Sequence, residues 1–175
     1  MQKQKVELED AAAAFITASF DLVDQEWDTL FDAIDKVFPT SYKEDGEAKG
    51  LFAVFVMAYQ LIALRMLAGN ETASKVSGFI IHTFSQVGDY FGHRLEETYQ
   101  QIRSDLDALS YPPDATDQEL SIAYGSVLFN LFKHKFFLKT GDLLIGDLRY
   151  VELLGSRAKI ASVWWESFLK DYELI

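Results

Sequence analysis

A chain of 175 residues is long enough for one domain that buries roughly 70% of the surface its unfolded form exposes. It contains no cysteine, which excludes disulfides, thiolate metal sites and cysteine nucleophiles and fits a reducing compartment. Sixteen Lys and Arg against 27 Asp and Glu leave a formal charge of −11, a field that repels phosphate backbones and anionic lipid surfaces, so neither nucleic acid nor membrane is expected as a partner.

The first residues, Met1 to Glu7, turn acidic before any apolar run develops. They lack the apolar stretch of a signal peptide, and a cytoplasmic location is expected. Only three prolines occur, Pro39, Pro112 and Pro113, and between them apolar residues recur at intervals of three and four. That period predicts an all-α fold, a single domain over residues 1–175 built as a bundle of five to seven helices.

The first helix is predicted from Val6 to Val37, stopping before Pro39. Ile16, Phe20, Val23, Trp27, Leu30, Ile34 and Val37 follow at steps of 4, 3, 4, 3, 4 and 3, a narrow seam that should face the core. Beside the seam, Asp21, Asp24, Asp28, Asp32 and Asp35 form a stripe of carboxylates at spacings of 3, 4, 4 and 3, with Lys36 as the nearest local compensation. Like charges at these spacings repel by a few tenths of a kcal/mol per pair in a free helix, a cost that a cationic partner could recover. Solvation of an ordinary charged face is the plain alternative.

After a polar connection holding Asp45, Gly46 and Gly50, the run from Leu51 to Ala68 is broken only by Gln60 and Arg65. A spanning helix wants about 20 mostly apolar residues, and a charge inside it is costly. The run is therefore read as the central helix of the bundle, buried on every side, ending in a left-handed cap at Gly69 and Asn70. A buried Arg65 would need a carboxylate, expected from the acidic first helix.

A third helix should start near Thr72, with Val76, Ile80, Phe84, Val87, Phe91, Leu95, Tyr99, Ile102, Leu106 and Leu109 apolar. Unbroken, it would run on the order of 55 Å. Gly78, Gly88 and Gly92 weaken it, so a kink or break is expected between Gly88 and Gly92. Asp89, His93 and Glu97 share one face, the sole stripe in which a histidine meets carboxylates. The residues three before His82, His93 and His134 are Phe79, Tyr90 and Leu131, so the Glu-x-x-His signature of di-metal bundles is missing and no metal is expected.

Tyr111, Pro112, Pro113 and Asp114 read as a loop, and Thr116 to Glu119 as a capping box opening a fourth helix that Gly141 closes. A shorter helix from Leu143 to Leu154 and a final one from Arg157 to about Tyr172 complete the chain. Trp164 and Trp165 cannot both point inward, since neighbours sit about 100° apart. Phenylalanine is concentrated on the middle helices, where it fills a core or lines an apolar cavity.

No nucleophile elbow, phosphate loop, dinucleotide fingerprint or zinc-protease pair is present. The expectation is a non-enzymatic, acidic interaction protein without a cofactor, an inhibitor, immunity protein or adaptor, docking on a basic protein partner through Asp21, Asp24, Asp28, Asp32 and Asp35. A homodimer is compatible with it. The alternative is a helical binding protein that takes an apolar ligand or lipid into a Phe-rich interior.

Overall fold

The computed structural model describes residues 3–37, 46–87, 89–108 and 163–175. Among them lie five helices, α1 (Leu8–Val37), α2 (Gly46–Ala68), α3 (Asn70–Val87), α4 (Asp89–Ala108) and α5 (Val163–Asp171), and two three-residue strands, β1 (Gln4–Val6) and β2 (Tyr172–Leu174). The fold is all-α, as its period predicts. The helices expected between Thr116 and Leu154 lie outside the described residues.

The central helix is α2. It packs against α1, α3, α4 and α5, and every residue from Leu51 to Ile62 is buried, with Phe55 and Leu61 fully so. By length and composition residues 46–65 could cross a membrane, yet 78% of that window is covered by the protein's own helices. The helix starts at Gly46 rather than Leu51, so Gly50 belongs inside it and not to the preceding connection.

Gly69 ends α2 as expected, with φ at +85° and its N–H bonded to the Arg65 carbonyl at 3.1 Å. This is the single left-handed cap bond that satisfies an orphan carbonyl. The Gly69 carbonyl in turn accepts the Ala73 N–H at 3.1 Å, opening α3 one turn on.

The long third segment is two helices, α3 and α4, meeting at residue 88. Gly92 shows why they can pack so closely at this corner. It is buried in the first turn of α4, and a Cβ there would overlap Ser85 Oγ and lie 2.9 Å from the Ser85 backbone nitrogen.

The seam of α1 needs correction in its first half. The buried positions are Ala11, Ala12, Phe15, Ser19, Val23, Trp27 and Leu30, while Ile16 is half-buried, Phe20 is 45% exposed and the side chains of Ile34 and Val37 lie outside the described ones. Small side chains at Ala11, Ala12 and Ser19 let α1 approach its neighbours, which rotates the contact face by about one residue and leaves Phe20 at its edge.

The amino-terminal expectation also fails, because Val6 is in a strand. β1 pairs in parallel with β2, Gln4 opposite Tyr172, Lys5 opposite Glu173 and Val6 opposite Leu174. Lys3 Nζ adds a 2.6 Å bond to the Leu169 carbonyl. This clasp holds α5 against α1, where the fully buried Trp165 stacks on Phe15 at 5.1 Å and Trp164 is only half-buried.

Candidate functional site

Asp21, Asp24, Asp28 and Asp32 are all exposed on α1. The side chain of Asp35 lies outside the described residues. At 100° per residue the four span about 80° of the helix, on the side away from Val23 and Leu30. Compensation comes from a cation the local spacing could not reveal. Lys49 Nζ of α2 sits 2.6 Å from Asp24 Oδ1, joining the two helices across their surface.

Next to this pair the four helices leave an apolar cavity of about 220 Å³. Its floor is α2, through Gly50, Ala53, Val54 and Met57. Phe20 of α1 and Phe84 of α3 form one wall, with ring centres 6.0 Å apart, and Phe91 and Leu95 of α4 form the other. The lining is almost wholly apolar.

Two of these rings, Phe20 and Phe91, are 45% and 39% exposed and form the mouth. The spacing of α1 predicts Phe20 in a core-facing seam. Both rings lie instead at the edge of the core, since among the described residues the helices packed around α2 leave them partly exposed over its first turns.

Gly50 explains how Phe91 is accommodated. A Cβ at position 50 would come 3.1 Å from Phe91 Cε1, so the absence of a side chain leaves room for that ring. This glycine was the available signal for the cavity, but its placement in a connection hid it. The ion pair belongs beside the same mouth, because Lys49 precedes Gly50 and Asp24 lies one turn beyond Phe20.

The other candidates are less assembled. His93 Nε2 lies 3.1 Å from Glu97 Oε1, both exposed, and Arg94 Nη1 shares that carboxylate at 3.4 Å. The Asp89 side chain lies outside the described residues, and among those described no three His, Asp or Glu are grouped to hold a metal ion.

Arg65 does not meet a described carboxylate of α1. It is half-buried at the end of α2, and its Nε donates to Asn70 Oδ1 across the Gly69 cap. Proximity to the surface removes the need for a counter-charge that full burial would impose.

Gln60 and Trp165 are the described residues with a buried side-chain polar atom that lacks a hydrogen-bond partner. The Gln60 side chain is buried and its Oε1 has no hydrogen-bond partner among the described residues.

Compared with family models, with curated proteins and with solved structures, the chain matches none.

Proposed function

We propose that this chain is a non-enzymatic interaction protein that docks on a basic protein partner, as an inhibitor, immunity protein or adaptor does. The observation that carries the reading is the exposure of Asp21, Asp24, Asp28 and Asp32 on one face of α1. Within a chain of formal charge −11, such a face concentrates negative potential and steers a cationic surface toward it.

Steering of this kind raises the association rate and makes it sensitive to salt. The test is capture from a native lysate by wild type and by Asp28→Lys with Asp32→Lys, at low and high salt. Wild type should retain a basic protein at low salt and lose it at high salt, and the double variant should retain it poorly with unchanged helix content. Capture that survives both charge reversal and salt sinks the reading.

The cavity supports a second reading, binding of an apolar ligand. Its volume of about 220 Å³ falls below the roughly 300–1,000 Å³ of sites that bury drug-sized molecules. At this cavity the reading favours a small apolar molecule. Native mass spectrometry of freshly purified protein tests it, and a clean apo mass counts against it.

A further inference from the structure

We infer that the cavity over the first turns of α2 is an anchor pocket for one large apolar side chain of a cationic protein segment. The inference rests on the basic-partner reading and names what that partner must carry. Three features of the molecule converge on it.

The first is size. About 220 Å³ lies below the range of drug-sized sites and is on the scale of a single aromatic or branched aliphatic side chain. The second is the mouth. Exposed Phe20 and Phe91 rings present apolar edges to an incoming group, and interface hot spots are commonly an aromatic anchor filling such a desolvated pocket within a polar rim.

The third is charge. Asp24 lies one turn beyond Phe20 and Asp21 directly after it, both exposed on α1. A segment that seats an apolar side chain between Phe20 and Phe91 therefore carries its flanking residues across carboxylates. Lysine or arginine at those flanks is favoured and acidic residues are repelled. Lys49, paired to Asp24 at 2.6 Å, partly neutralises that carboxylate, so the stronger attraction for an incoming cation is at Asp21. Desolvating the apolar side chain supplies affinity, while the carboxylates supply approach and selection.

The probes are two fluorescein-labelled oligolysine peptides, identical except for one central residue, phenylalanine in one and alanine in the other. Anisotropy titrations at low salt should show wild type binding the phenylalanine peptide about tenfold or more tightly, the gain expected from burying one such side chain. Ala53→Phe, which fills the cavity from its floor, should bind both peptides equally and with the wild-type affinity for the alanine peptide. Phe20→Ala, at a partly exposed position, should lose most of the discrimination and guards against a filled variant that fails to fold. Circular dichroism reports folding in both.

Equal binding of the two peptides by wild type overturns the anchor pocket and leaves the basic-partner reading standing. Binding of neither peptide overturns both. Discrimination that persists in folded Ala53→Phe places the anchor elsewhere and overturns the assignment. A small-molecule adduct in the native mass spectrum of wild type, absent from Ala53→Phe, gives the cavity to a free ligand and overturns it as well.

Discussion

Replacing Gly92 by alanine would set a methyl group into the corner between α3 and α4, overlapping Ser85 Oγ and lying 2.9 Å from the Ser85 nitrogen and 3.1 Å from its Cα. The hydroxyl can rotate away only by giving up its 2.9 Å bond to the Ile81 carbonyl, and the backbone atoms cannot yield without moving the helices apart. Overpacking of this kind costs about 1–3 kcal/mol, and the helix propensity gained by removing a glycine returns at most about 1 kcal/mol. With that offset in full, the net expectation is a loss of up to about 2 kcal/mol. Gly78, in α3, is the internal control, because it is exposed and a Cβ there meets nothing within 4 Å. Gly78→Ala should therefore stabilise by up to about 1 kcal/mol. Urea unfolding followed by circular dichroism should show the two midpoints moving in opposite directions with a common slope. Adding Ser85→Ala to Gly92→Ala should recover only part of the loss, since the backbone contacts remain. If Gly92→Ala proves as stabilising as Gly78→Ala, the close approach at this corner is refuted.

Gln60→Met keeps the shape of the side chain and removes a buried acceptor without a described partner; it should stabilise by about 1–2 kcal/mol, and a lower unfolding midpoint would show that Oε1 is hydrogen-bonded in solution. Trp165→Ala, at a fully buried ring stacked on Phe15, should cost about 3–5 kcal/mol. Trp165→Phe should cost far less, because it keeps the stack and removes an indole N–H that lacks a described partner; equal losses in chemical denaturation would refute the packing described. The Glu71 carboxyl is held below its ordinary pKa by its hydrogen bond to Lys75, with the charge of that ammonium adding to the effect. Its contribution is complete above the unfolded-state pKa and is lost as pH falls through the depressed folded value. An NMR titration of Glu71 should show a midpoint below that of a free glutamate and rising in Lys75→Met; an unchanged midpoint in that variant would refute the pairing.

Much of the architecture was legible because it depends on local pattern. The run from Leu51 to Ala68 has almost no polar face, and such a helix must be covered by its neighbours, as it is from Leu51 to Ile62, although Leu67 near its end is exposed. Gly69 was readable as a cap because only the left-handed conformation it adopts ends a helix in that way. The break expected between Gly88 and Gly92 followed from glycine's cost in a long helix. The face of α1 was legible from Val23 to Leu30 and misread before it, since periodicity weighs Phe20 as apolar and Ser19 as polar. Close packing instead selected the smaller of the two.

The acidic stripe could be read from spacing, but its neighbours could not. Lys49 reaches Asp24 from another helix, and Phe20, Gly50, Phe84 and Phe91 come together from four helices to line one cavity. The pairing of Gln4–Val6 with Tyr172–Leu174 is of the same kind. Three residues carry no strand signal, and their hydrogen bonds exist only once α5 has docked beside α1.

The sequence by itself determined that this protein is helical, acidic, free of cysteine and organised around one predominantly apolar helix, because composition and the 3.6-residue period act within a few turns. Only the tertiary structure decided where that core stays open, which cation meets the acidic helix and how the two ends are clasped, because those depend on side chains distant in sequence filling, or failing to fill, the same space.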